Sequence, residues 1–312
     1  MQQVMGGYPP FFPSFQALDV EAGGVRFAGV TGGTGSPLLL LHGFPESHIA
    51  WRKVAPALAR QHTLIIPDLP GYGASRTRET TPRWTKRRVG EALVALMRVL
   101  RHERFALAGH DRGARAGYRL VLDHPGIVTR FASLAVIPTL DALEGVDHRF
   151  ARNNYHWFLM AQAPSIAEAM LAAAPDAVLD REFASKHAAG AEVIEDAARA
   201  AYYAAFRDPG VRHAMCEDYR AALEEDLAAD STDRKAGRRL DCAVLALWPQ
   251  AQEAPGRPRP AEVWKRWAAD VSEGVTTGHH LQAEDRPEEV CRALLRFFGA
   301  EAAHSHEAGL EG

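Results

Sequence analysis

The chain is poor in cysteine: Cys216, Cys242 and Cys291 are the only three in 312 residues. An odd count, wide spacing and no CxxC pair give neither a disulfide framework nor a zinc site, and they fit a reducing, cytoplasmic compartment. Charge of one sign is also lacking. The 36 Lys and Arg against 39 Asp and Glu leave a formal charge of -3, without the basic excess that nucleic-acid binding draws on. No apolar run approaches the ~20 residues of a membrane-spanning helix. Nucleic acid and bilayer are therefore not expected partners, and nothing in the sequence asks for a metal or other cofactor. The opening segment "MQQVMGGYPPFFPSFQ" has no basic n-region and is broken by Gly and Pro, so it reads as a surface strap instead of a signal peptide. The tail "EAAHSHEAGLEG" reads as frayed. Two superficially suggestive stretches carry no function. "RWTKRR" (Arg83 to Arg88) is a solvated helix start without an aromatic platform, and the glycines of "TGGTGS" precede a strand, so they form a turn and not a phosphate loop.

What is present is an ordinary globular balance, 47% apolar and 24% charged, enough for one large domain or a domain with an insertion. Short continuous apolar runs recur at Leu38 to Leu41, Thr63 to Ile66, Phe105 to Ala108, Ala132 to Ile137 and Cys242 to Leu247. Continuous hydrophobicity marks strands covered on both faces. Between the runs lie helical patterns, such as Val89, Leu93, Leu96, Met97 and Leu100 at three- and four-residue steps, and "AEVWKRWAADV" after Pro260. Strand and helix in alternation predict a doubly wound, mostly parallel α/β sheet. The alternation stops near Pro138 and resumes near Leu240, across an alanine-rich stretch containing "PSIAEAMLAAA" and no strand run. We therefore expect a core of residues 1–137 and 239–312 and an all-helical lid of residues 138–238. Such a lid would close the crevice at the C-terminal edge of the sheet.

Three motifs carry chemistry. Gly109, Asp111 and Gly113 make a GxDxG version of the nucleophile elbow, with a strand run before it and the helix pattern "ARAGYRLVLDH" after it. Taken alone, Asp111 would read as a helix cap; the flanking elements favour a nucleophile. The run "LLLLHGFP" leads into His42, Gly43, Phe44 and Pro45, the loop that supplies one oxyanion-hole N–H in elbow hydrolases. Phe44 and Arg112 are the expected donors; His42 and Asp68 of "DLPGYGAS" read as loop-shaping residues. The third motif is "GVTTGHH", a β-branched strand ending at His279 and His280, where the base of such a site belongs. Either histidine fits, and the single Gly directly before it favours His279.

With these motifs the chain resembles the α/β-hydrolase-fold fluoroacetate (haloacetate) dehalogenases over nearly its whole length: "LLLLHGFP", "DLPGYGAS", "LAGHDRGAR", "YHW", "MCEDYRA", "VWKRWA" and the "GH" at Gly278 and His279. The elbow is shared with epoxide hydrolases and haloalkane dehalogenases, whereas the paired arginines with the lid residues are narrower. The resemblance implies Asp111 as nucleophile toward the halogen-bearing carbon, Arg112 and Arg115 as a clamp on the substrate carboxylate, and His156, Trp157 and Tyr219 as a halide pocket. It thus implies a small haloacid as substrate and a halide as product; dimers are common in that family. The chemistry is coherent. A carboxylate displaces halide without prior deprotonation, neighbouring arginines keep it ionised, and a guanidinium fork suits a planar carboxylate.

One position departs from the family. Aligned on "LAVIPT", the acid expected to orient the histidine is Ala135. Glu253 and Asp141 are the carboxylates near enough in sequence to replace it, and with no replacement attack by Asp111 would outpace ester hydrolysis. Two further readings stay open. An epoxide hydrolase would use Asp111 and His279 with a lid tyrosine such as Tyr155, Tyr202 or Tyr219, and a degenerate homologue would bind carboxylates without turnover.

Overall fold

The computed structural model describes residues 11–186, 193–253 and 256–299. Most of the expected strap, residues 1–10, and the tail at 301–312 lie outside them. Nine strands form one sheet: β1 (Gln16–Ala22), β2 (Val25–Gly32), β3 (Ser36–Leu41), β4 (His62–Pro67), β5 (Arg76–Thr77), β6 (Phe105–His110), β7 (Val128–Leu134), β8 (Ala243–Pro249) and β9 (Val271–Thr276). Their order is β1-β2-β4-β3-β6-β7-β8-β9, with β5 beside β2. The pairs from β4 through β9 are parallel, whereas β1, β2 and β5 add an antiparallel edge.

The period-2 geometry of strands explains why the central runs are apolar throughout. Leu39, Leu41, Ile65, Leu107 and Phe131 face one buried cluster, packed under the helices Lys86–Val99 and Arg112–Asp123. Leu38, Leu40, Leu64, Ile66 and Ala108 face the other, under Trp51 and the helix Pro287–Gly299. Both faces are covered, so neither set of alternating positions can be polar.

Two elements differ from expectation. The run Ala132 to Ile137 leaves the sheet after Leu134, because Ala135 takes φ +62, outside the strand region. The helix after Pro260 ends at Trp264, where the chain turns so that the Trp267 indole reaches Asp141 at 2.6 Å.

Between β7 and β8 the described residues form helices and no named strand. "PSIAEAMLAAA" is the helix Pro164–Ala173, with its proline in the first turn. The helices Tyr155–Met160 and Pro209–Ala221 carry side chains to the elbow, the second continuing into a π-helical turn, Ala222–Asp226. π-turns recur near functional sites.

Candidate active site

Asp111 sits between β6 and the helix Arg112–Asp123 with φ 46 and ψ -115, a strained conformation for a residue with a side chain. Strain of this kind amounts to roughly 1–3 kcal/mol and persists where the surroundings enforce it. Here they do. A Cβ on Gly113 would lie 2.5 Å from the carbonyl oxygens of Leu41 and His42, and one on Gly43 would lie 2.5 Å from the Asp111 Cβ. The small residues let the β3 loop close over the turn, and the Phe44 N–H then donates to Asp111 Oδ1 at 3.0 Å. Arg112 opens the helix, so its N–H belongs to the first turn, whose amides have no intrahelical acceptor. Both expected oxyanion donors are therefore at the nucleophile's end of the elbow.

The two histidines part company in the turn after β9. Asp285 Oδ2 accepts from the His279 backbone N–H at 2.7 Å and pairs with its Nδ1 at 3.1 Å, which commits that ring to Asp285. His280 instead places Nε2 3.5 Å from Asp111 Oδ2. Its side chain is 12% exposed against 30% for His279. The preference for His279 is corrected: the histidine beside Asp111 is its neighbour. The His280 carbonyl bonds His110 Nε2 at 2.8 Å, and His110 Nδ1 meets the buried Glu46 at 3.1 Å. Burial works against a charged His110, but Glu46 outweighs it and raises its pKa.

Neither carboxylate proposed for the missing acid reaches His280. Asp141 is buried and fully engaged, accepting from Arg234, Arg266 and Trp267. Glu253 is exposed. The side chain on His280 Nδ1 is the amide of Gln252, at 2.9 Å.

Asp218, on the helix Pro209–Ala221, takes Arg112 Nε at 2.9 Å and Nη2 at 2.6 Å. Lys86 and Tyr72 bond the same carboxylate. Burial opposes ionisation of Asp218, but Arg112 and Lys86 prevail and hold it well below the usual carboxylate range. Burial pushes Lys86 down to about 8. Arg115 has no carboxylate partner among the described residues; its Nη1 donates to the Ile137 carbonyl at 3.2 Å and to Thr139 Oγ1 at 2.9 Å. Burial, and then the like charge of Arg112, lowers its pKa. Two donors are left over, Arg112 Nη1 and Arg115 Nε, both buried and unbonded. Such orphans are rare in proteins and mark a place where a polar group is expected.

His156, Trp157 and Tyr219 lie together beside the two arginines. Arg112 lies over the Tyr219 ring at 4.4 Å and Arg115 over the Trp157 ring at 4.7 Å. His156 stacks on Phe44 with centroids 5.5 Å apart, and Tyr219 meets His156 and Trp157 edge-on. Burial, with Asp111 beside it, raises the Tyr219 hydroxyl's pKa well above its ordinary value. The buried Glu182 stands 3.3 Å from His156 Nδ1. Asp218, Gln252 and Glu182 were not singled out from the sequence. Asp218 lies within the quoted "MCEDYRA", where an acid beside Tyr219 was the available signal. Of the two alternative tyrosines, Tyr202 donates to Glu284 at 2.9 Å and Tyr155 bonds Glu182, while Tyr219 adjoins Asp111.

Comparison with known proteins agrees with this geometry. The family model described as alpha/beta hydrolase fold matches residues 36–241, and the chain belongs to that family and is a hydrolase of it. It is 34% identical to a fluoroacetate dehalogenase of Burkholderia sp over 95% of this chain and 98% of that one. It is also 31% identical to a soluble epoxide hydrolase of Corynebacterium sp., over 88% of this chain and 94% of that one. A solved structure described as a putative epoxide hydrolase from Pseudomonas aeruginosa superposes with a TM-score of 0.90 at 43% identity, covering 95% of this chain and 99% of the other. A mutant of that protein was solved with bound MFA. Among the described residues no helix is long and apolar enough to cross a membrane.

Proposed function

We propose that this hydrolase is a dehalogenase of short 2-haloacids such as fluoroacetate or chloroacetate. The observation that carries the reading is the pair of buried, unbonded guanidinium donors on Arg112 and Arg115, next to an aspartate nucleophile. A substrate carboxylate satisfies both donors and neutralises the Arg115 charge, which has no carboxylate partner among the described residues.

In the first step Asp111 Oδ2 attacks the halogen-bearing carbon; a carbon–oxygen bond forms as the carbon–halogen bond breaks, and the halide leaves with the electron pair. Trp157 Nε1–H, the Tyr219 hydroxyl and a His156 N–H supply donors for its growing charge. In the second step His280 Nε2 takes a proton from water, whose oxygen adds to Cγ of the Asp111 ester. The negative charge develops on Oδ1, already held by the Phe44 N–H. Collapse releases the alkoxide, which takes the proton back from His280. The sum is haloacid plus water giving hydroxyacid, halide and a proton.

Halide release and intact mass after chloroacetate exposure test the reading. Catalytic release with a transient adduct on Asp111 supports it, and the absence of halide even at one equivalent defeats it. Binding of haloacid with no adduct would instead favour the degenerate carboxylate binder. An epoxide hydrolase is the second reading, favoured by the Corynebacterium relative and by Tyr219 beside Asp111. A neutral epoxide would leave the charge of Arg115 buried and unmatched, which weighs against it. Turnover of a neutral epoxide compared with that of a haloacid decides between the two.

A further inference from the structure

Gln252 follows β8 directly. Pro249 ends the strand, and one short 3-10 turn, Gln250–Gln252, brings the Gln252 amide to His280 Nδ1 at 2.9 Å. In elbow hydrolases the group at that nitrogen is a carboxylate, which fixes the tautomer and offsets the imidazolium charge. Here the position after β7 is Ala135, Asp141 is committed to Arg234, Arg266 and Trp267, and Glu253 is exposed.

We propose that Gln252 is the positioning residue for His280, standing in for the triad acid as an uncharged amide; this rests on the functional reading above. An amide has an acceptor and a donor on adjacent atoms, exchanged by a half-turn of its last torsion, so it can hold either tautomer of the ring. While Asp111 is a carboxylate, the Gln252 N–H donates to Nδ1 and Nε2–H faces the Asp111 oxygen 3.5 Å away. Once Asp111 is esterified that charge is gone. The ring then gives its Nε2 proton to solvent and takes one from solvent on Nδ1, Gln252 Oε1 accepts from Nδ1–H, and Nε2 presents its lone pair to water. The water O–H bond breaks, its oxygen bonds to Cγ, and the proton goes to Nε2, while the other ring proton stays on Nδ1, hydrogen-bonded to the amide oxygen. The ring becomes an imidazolium whose Nδ1–H is held by an uncharged amide. Orientation is kept and charge stabilisation is not, so ester hydrolysis is the slow step and the aspartyl ester accumulates in turnover.

The test follows ester formation and decay by rapid quench and intact mass with chloroacetate, in the wild type, Gln252→Glu and Gln252→Leu. Formation is expected to stay within about threefold in all three, since Gln252 does not touch the attacking oxygen. Decay is expected to be about tenfold faster in Gln252→Glu and at least about tenfold slower in Gln252→Leu, the range typical of groups that orient a reacting histidine. The Glu variant should also move the acid limb of the decay profile to higher pH by a unit or more, because an adjacent carboxylate favours the imidazolium. Unchanged decay in both variants overturns the proposal. Ring nitrogen NMR of His280 reads the same contact without substrate: a raised His280 pKa in Gln252→Glu supports it, and no shift overturns it. A raised pKa in a chain that never forms an ester would defeat the dehalogenase reading alone.

Discussion

Asp218 holds Arg112 from three directions, taking Nε on one carboxylate oxygen and Nη2 on both the other and the backbone carbonyl, all within 2.6 to 2.9 Å. The aspartate belongs to the helical stretch and the arginine to the elbow, so this contact ties the two parts of the molecule together at the nucleophile. It fixes which corner of the guanidinium remains free to meet a ligand.

Breaking that pair leaves a buried charge. Asp218→Ala is expected to destabilise the fold by about 3–5 kcal/mol, the range for removing one partner of a buried ion pair. Urea unfolding at pH 7 measures it. A loss under 1 kcal/mol would mean that Lys86 and Tyr72 do not depend on the same carboxylate.

Arg115 is charged, buried and without a carboxylate partner among the described residues, so it should serve ligand binding at the expense of stability. Arg115→Met is expected to lower kcat/KM for chloroacetate by about 100-fold, the equivalent of one charge-assisted hydrogen bond of about 3 kcal/mol. The neutral chloroacetamide should change by no more than a few fold. The variant should also melt no lower than the wild type, and equal losses on both substrates would contradict the assignment.

The two adjacent histidines give opposite predictions. His280→Gln should form the Asp111 ester at close to the normal rate and stall there, with steady-state turnover down by about 10⁴ or more, as in related triads. His279→Gln should stay within about threefold of wild type. Mass spectrometry under turnover distinguishes them, and a trapped ester in the His279 variant would reverse the roles.

Asp226 provides a pH-dependent stability test next to the Lys86–Asp218 pair. Burial lifts its pKa to about 6, against the pull of Lys86, whose backbone N–H it accepts at 2.9 Å. A folded-state pKa above the unfolded value of ~3.9 gives stability that is complete below pH ~4 and is lost as pH rises through about 6. Asp226→Asn should remove that loss, gaining up to about 3 kcal/mol relative to wild type at pH 7.5 and nothing at pH 4, from the roughly two-unit shift. Unfolding curves at the two pH values check it, and an equal gain at both would rule out the titration.

Local chemistry made much of this molecule legible. The elbow was readable because a strained turn between strand and helix demands small neighbours: Gly113 stands where the carbonyls of Leu41 and His42 press closest, and Gly109 where the following helix doubles back at Ala114. The central strands were readable because both their faces are buried. The hairpin of β1 and β2 was not, since an edge with one exposed face alternates, as in "QALDVEA" and "VRFAGVTG", and lacks a continuous run. The base was readable only to within one residue. Which of His279 and His280 faces Asp111 is decided by Asp285, six residues after His279, and no local pattern encodes that. Gln252 was hidden for a different reason: an amide does not announce itself in a search for acids.

The free corners of Arg112 and Arg115 have one more consequence. On the proposed reading they hold the end of the molecule that the reaction leaves untouched, so a departing hydroxyacid would carry the same handle as the arriving haloacid. Product and substrate would then compete for one anchor, and discrimination between them would fall to the aromatic chamber of His156, Trp157 and Tyr219, which would meet a halogen in one and a hydroxyl in the other.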